Sequence, residues 1–167
     1  MMSAGQSVQR VDKTSDLIIQ GYSNIMSSRM VSIITLGVRD LKRSSIFYEG
    51  LGFTRSAKSD DDIVWFNTGG TVLGLYPWGA MAEDAGVSPE GTGFRGITLA
   101  INLRNETEVD GFVAKARQLG ATLIKPPQKV FWGGYSSKFQ DFDGHIWEIA
   151  YNPFTPVDKN GKMKFNE

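Results

Sequence analysis

"VSIITLGVRDLKRSSIFYEGLGF", residues 31–53, changes its period halfway along. The first eight residues are rich in β-branched side chains and read as a strand. Asp40 then stands as a helix cap before "LKRSSIFYEG", which Gly50 and Gly52 stop. Three short strand candidates follow, "FTRSAK", "DIVWFN" and "TVLGLYP", with "DD" and "NTGG" supplying the turns. A strand–helix–strand–strand–strand unit therefore fits into residues 31–78.

Beyond it, Trp78–Gly93 is rich in glycine and acidic residues and reads as a linker. The same order then returns. "FRGITLAINL" is a strand, and Val109, Phe112, Val113, Ala116 and Leu119 recur at helical spacing until Gly120 stops them. "ATLIKP", "YSSKFQ" and "HIWEIAY" supply three more strands, separated by a proline-containing loop and by "DFDG". The repeat extends to residues: "IITLGV" matches "GITLAI", aligning Ile33 with Gly96 and Thr35 with Thr98. "GTVLGLY" matches "GHIWEIA", aligning Thr71 with His145 and Gly74 with Glu148. One such unit leaves an apolar sheet face exposed, and pairing two buries it. The expected fold is α+β: two tandem β-α-β-β-β modules, 31–78 and 94–153, forming a curved mixed sheet around a concave cavity with the helices outside. Linker 79–93 joins them within a domain spanning 30–154. Residues 1–29 are expected to be an N-terminal extension, weakly ordered or docked on a partner, and 155–167 a C-terminal tail.

The bulk composition narrows the function classes. Eighteen Lys+Arg balance 18 Asp+Glu in a chain of 167 residues, so no long-range field draws it to nucleic acid or to an anionic membrane. No cysteine occurs, which excludes disulfides, thiolate metal sites and cysteine nucleophiles. No apolar run approaches the ~18 residues of a membrane span, and the first 30 residues lack the apolar core of a signal peptide. A cytoplasmic protein with no nucleic-acid or membrane partner is expected.

"ITLGVRDLKRSSIFYEGLGF" and "DFDGHIWEIAYNP" strongly resemble the vicinal oxygen chelate superfamily, over about residues 31–153. That superfamily includes glyoxalase I, extradiol dioxygenases, fosfomycin-modifying enzymes and bleomycin-resistance proteins. The resemblance implies a homodimer and, in metal-dependent members, ligands at the positions of Ile33, Gly74, Gly96 and Glu148. Only Glu148 among these has a ligating side chain. One carboxylate falls short of the three protein ligands a catalytic ion normally takes. Metal-dependent catalysis is therefore disfavoured, and no cofactor is expected. The chain is read as binding or sequestering a small organic molecule without a metal. The alternative is a lyase, isomerase or dioxygenase with an atypical metal site or metal-free glutamate chemistry.

Strand parity selects the residues that should line the cavity. With Glu148 inward, Ile33, Thr35, Gly37, Val72, Gly74, Tyr76, Gly96, Thr98, Ala100, Ile146 and Ala150 share its side. Ile34, Leu36, Val38, Ile97, Leu99 and Ile101 should pack beneath the helices. His145, the only histidine, then faces away from Glu148 and reads as a turn residue. Glu148 is the candidate for ligand contact or acid–base chemistry, with Thr35 and Thr98 beside it. Trp132 and Tyr135, in the glycine-containing loop "QKVFWGGYSSKF", and Tyr76 and Trp78, at the matching strand end, are the expected aromatic ligand contacts.

Overall fold

Two four-stranded sheets carry the fold in the computed structural model, which describes residues 31–159 and 161–163. The first half runs β1 (Ile33–Val38), α1 (Leu41–Gly50), β2 (Thr54–Arg55), β3 (Val64–Asn67) and β4 (Val72–Pro77), followed by α2 (Trp78–Asp84). The second runs β5 (Leu99–Leu103), α3 (Glu106–Gln118), β6 (Thr122–Lys129), β7 (Tyr135–Gln140) and β8 (Ile146–Tyr151). Strand order is β1-β4-β3-β2 in one sheet and β5-β8-β7-β6 in the other. In each, the first strand pairs parallel with the last, and the remaining pairs are antiparallel. The α+β fold and the tandem arrangement expected from the repeat are thus present.

Helix α1 begins where Asp40 signals it, and α3 begins after Asn105, a cap not marked in the sequence. Asp40 accepts from the Arg43 amide at 2.8 Å, and Asn105 accepts from the Glu108 amide at 2.9 Å. Each cap satisfies an amide that the first helical turn leaves without an intrahelical partner. Glu108 reaches back to the Arg104 amide at 3.0 Å, and this bond is the main cause of its lowered pKa.

Helix-facing residues of both sheets merge into a single core. Leu36 and Val38 of β1, Leu73 and Leu75 of β4, and Trp147 and Ile149 of β8 pack with Phe47 and Tyr48 of α1 and with Val109, Val113 and Ala116 of α3. Helix α1 crosses between the halves: Phe47 meets Phe139 edge-on with ring centroids 6.4 Å apart, and Tyr48 lies 5.9 Å from Trp147. The described residues from Ser32 onward accordingly form one compact unit, and the halves are not separate domains.

Several local expectations are corrected. The linker opens as α2, which packs on β1 and β4. A Cβ at Gly37 would meet Met81 Sδ at 3.3 Å, so this helix covers the far end of β1 on the side away from α1. Strand β6 does not end at its prolines but continues through Pro126 and Pro127 to Lys129, with register shifts on either side of Lys125. It is an edge strand, where a missing amide donor costs no ladder bond. Ile97 is 51% exposed and precedes β5 instead of packing under a helix. The tail pairs with itself through an antiparallel bridge, Val157 to Met163. The expected extension, 1–29, lies outside the described residues.

Candidate functional site

Register places two matching rows of side chains on the sheet faces turned away from α1 and α3. In the first sheet the row is Thr35–Gly74–Trp65; in the second it is Ala100–Glu148–Lys138. Gly74 and Glu148 are repeat equivalents, so Trp65 and Lys138 are equivalent neighbours. The first row is closed over: a Cβ at Gly74 would lie 2.7 Å from the Trp65 ring and 3.2 Å from Thr35 Oγ1. The space expected above this glycine is therefore occupied by indole. In the second row, Lys138 Nζ lies 3.0 Å from Glu148 Oε1, with both side chains about one-third exposed (33% and 28%). Glu148 is thus neutralised by a neighbouring strand, and not by Thr35 or Thr98 as the sequence suggests.

The rows also correct the repeat alignment. Thr35 and Ala100 are register equivalents, and the same interval separates the helix caps Asp40 and Asn105. The equivalent of Ile33 is therefore Thr98, two residues beyond the expected Gly96. Gly96 is exposed, precedes β5 and has φ +78°.

The expected aromatic contacts do not converge on Glu148. Tyr135 stands on the opposite face of its sheet, because it shares strand parity with Phe139 in the core and not with Lys138. Its hydroxyl donates to Asp110 Oδ1 of α3 at 2.9 Å, and that bond is the leading cause of its raised pKa. Trp132 sits in a tight hairpin closed by Val130 N to Gly134 O at 3.0 Å, and its ring lies against Gly134. A second bond, Gly133 N to Val130 O at 2.9 Å, completes the turn. Tyr76 is half-buried opposite Gly37. Trp78 opens α2, donates Nε1–H to Pro89 O at 3.1 Å and carries the Arg39 guanidinium 4.5 Å from its ring centroid.

His145 has the structural role expected of it, in a more specific form. Its Nε2 lies 2.8 Å from the Gly37 carbonyl, which can only accept, so Nε2 carries the proton and ties the halves together. The "DFDG" turn adds further ties. Tyr48 donates to Asp141 Oδ2 at 2.7 Å and accepts from Trp147 Nε1 at 3.1 Å. Asp143 accepts from the Arg39 amide at 2.9 Å and its guanidinium at 3.3 Å. Tyr48 has a pKa well above the usual phenol value, first through burial and then through the Asp141 carboxylate.

A cleft of about 600 Å³ lies between the edge strands β1 and β5. Its lining includes apolar Ile34, Leu73, Phe112 and Trp147 and the amides Asn67 and Asn102, and no charged side chain lines it. Of the expected ligand contacts only Thr98 borders it. Ala100 also lines the cleft and is the register partner of Glu148, but Leu73 and Trp147 face the helices, so the ion pair stands on the opposite face of the sheet from the cleft's apolar lining. The volume falls in the usual range for small-molecule sites.

The donor set does not fit a divalent ion. Ile33 and Gly74 have no ligating atom, Thr98 offers only a neutral hydroxyl, and Glu148 is held by an ammonium. Among the described residues no group of three or more His, Cys, Asp or Glu is placed to hold a metal. Reasoning from sequence missed Trp65 and Lys138. Both could be found by asking which residue of the adjoining hairpin strand falls opposite Gly74 or Glu148.

Comparison with known proteins gives one family. Residues 31–149 match the model of the Glyoxalase/Bleomycin resistance protein/Dioxygenase superfamily. Among solved structures, a glyoxalase-related enzyme from Fulvimarina pelagi is 34% identical with a TM-score of 0.76, covering 83% of this chain and 99% of that one. A hypothetical protein from S. aureus is 26% identical with a TM-score of 0.69, covering 78% and 98%. A lactoylglutathione lyase from Agrobacterium tumefaciens, 19% identical with a TM-score of 0.58 and covering 77% and 97%, shares the fold. No curated protein matches.

Proposed function

Because this chain belongs to the Glyoxalase/Bleomycin resistance protein/Dioxygenase superfamily, we propose that it binds a small organic molecule without a metal ion. The observation that carries the reading is the pair of rows: indole over Gly74 in one half and ammonium on Glu148 in the other. Each puts a protein side chain where an ion or its ligand would stand. The neighbouring cleft supplies the volume and an apolar lining for the body of the ligand. Thr98 and Asn102 add hydrogen-bonding groups to that lining.

The identity to a glyoxalase-related enzyme favours a second reading, in which a lyase, isomerase or dioxygenase uses Glu148 as its acid–base group. Pairing with Lys138 weighs against it, since Glu148 Oε1 is already engaged by an ammonium at 3.0 Å and must give up that contact to reach a substrate. Self-association as a homodimer and a cytoplasmic location complete the proposal. Among the described residues no helix is long and apolar enough to cross a membrane.

Two measurements test this. Elemental analysis of protein purified without added ions should find no stoichiometric zinc, nickel, manganese or iron; a molar equivalent would overturn the metal-free reading. A thermal-shift screen of metabolites in the presence of a chelator should give stabilising compounds whose effect is lost in Ile34→Trp, which adds bulk to the cleft's apolar lining from a half-buried strand position. Stabilisation indifferent to that substitution would place the ligand elsewhere.

A further inference from the structure

The cleft runs along a strand edge instead of resting on one face of a sheet. Successive strand residues point to opposite faces, so a pocket on one face is lined by alternate residues. Here every residue from 98 to 103 lines it: Thr98, Ala100 and Asn102 share one parity, and Leu99, Ile101 and Leu103 the other. Only an approach from the side of β5 reaches both sets. That side carries no ladder. Strand β5 ends its sheet, pairs in parallel with β8 alone, and makes no backbone hydrogen bond to any other segment among the described residues. In a parallel pair every second residue turns its N–H and C=O away from the partner strand, and on β5 that direction is the cleft.

The sheet edges remote from the cleft are guarded. Strand β2 is two residues long, and β6 carries Lys125, Pro126, Pro127 and Lys129 with register shifts on either side of Lys125. Short strands, prolines, lysines and irregular register keep an edge from pairing. Strand β5, "LAINL", has none of these and holds an unbroken register along its length. Its edge is therefore fit for pairing, and no charged side chain lines the cleft that faces it. Resting on the binding reading above, we infer that the ligand of the cleft is an uncharged compound with a peptide-like backbone, held extended along β5 as an added strand. Its amides exchange hydrogen bonds with the open edge, while Ile34, Leu73, Phe112 and Trp147 receive its apolar groups. A charged group would be desolvated there without a partner. A volume of about 600 Å³ suits a short ligand and not a long segment of another protein.

The probe is a capped, uncharged tetrapeptide, N-acetyl-Thr-Val-Thr-Ala-N-methylamide, titrated by NMR against the full chain. It should shift the amides of β5 and slow hydrogen exchange at alternate residues of that strand. Methylating the peptide's amide nitrogens keeps its apolar groups and removes its donors, and should weaken binding about tenfold or more. Aspartate in place of the second threonine should cost about as much, and so should Ile34→Trp in the protein. Equal affinity of the methylated and unmethylated peptides, shifts confined to other strands, or binding indifferent to Ile34→Trp overturns the inference and leaves the binding reading standing. The aspartate peptide binding equally well overturns the uncharged class. Extending the peptide with glycine and serine at both ends should leave the affinity within about threefold; a gain of about tenfold would overturn the small ligand in favour of a partner protein's strand. If the peptide does not bind at all the inference fails, and the binding reading is then judged on the metabolite screen alone.

Discussion

Tyr48 holds a phenol out of water between a carboxylate and an indole, at the contact between the two halves. Burial and Asp141 both favour its protonated form, so its pKa is raised on folding. The sign follows: the folded state binds this proton more tightly than the unfolded state. Its contribution is therefore complete below pH ~10 and lost as pH rises further. Urea denaturation of Tyr48→Phe at pH 7 should show a loss of about 1–3 kcal/mol, because Asp141 and Trp147 each lose a buried partner. The variant should then show a smaller decline in stability above pH ~10 than the parent chain; an equal decline would assign the alkaline effect to other groups. Sequence placed Tyr48 within the first helix and "DFDG" between two strands. It did not show that the two meet, because nothing local connects a helix in one repeat to a turn in the other.

At the level of elements, the two rows show how one strand pattern yields two chemistries. A glycine on β4 makes room for an indole from β3, while a glutamate on β8 meets a lysine from β7. Gly74→Ala would put a methyl 2.7 Å from the Trp65 ring and force the indole aside. A cost of about 1–3 kcal/mol is expected in thermal or urea unfolding, the range for overpacking. Trp65→Leu should remove most of that cost, and a double-mutant cycle showing no coupling would mean that the ring does not rest on Gly74. The strands and the helices α1 and α3 were legible because their periods and stop signals are local. Helix α2 was not, since no side chain caps its start and Pro77 and Gly86 read equally well as loop residues. The continuation of β6 through two prolines was hidden for a different reason: it is allowed only because the strand lies at an edge, and edge position is a property of the sheet.

For the whole folded unit, the shared core implies cooperativity. Residues 32–167 should unfold in a single transition by circular dichroism and tryptophan fluorescence, with coincident midpoints. Two resolved transitions would mean that the halves hold independent cores. The sequence by itself determined the repeat, the order of the strands and of helices α1 and α3, the parity that sends Leu36 and Leu99 inward, and the isolation of Glu148 among positions that cannot ligate. Each of these follows from local periodicity or from side-chain identity. Only the tertiary structure decided that Lys138 answers Glu148, that Trp65 roofs Gly74, that Thr98 takes the place expected of Gly96, and that Tyr135 belongs to the helix side. Those outcomes depend on hairpin register, and a shift of one residue exchanges the faces of a strand. Register is fixed by packing across the sheet and between the halves, information that no short stretch of this chain contains.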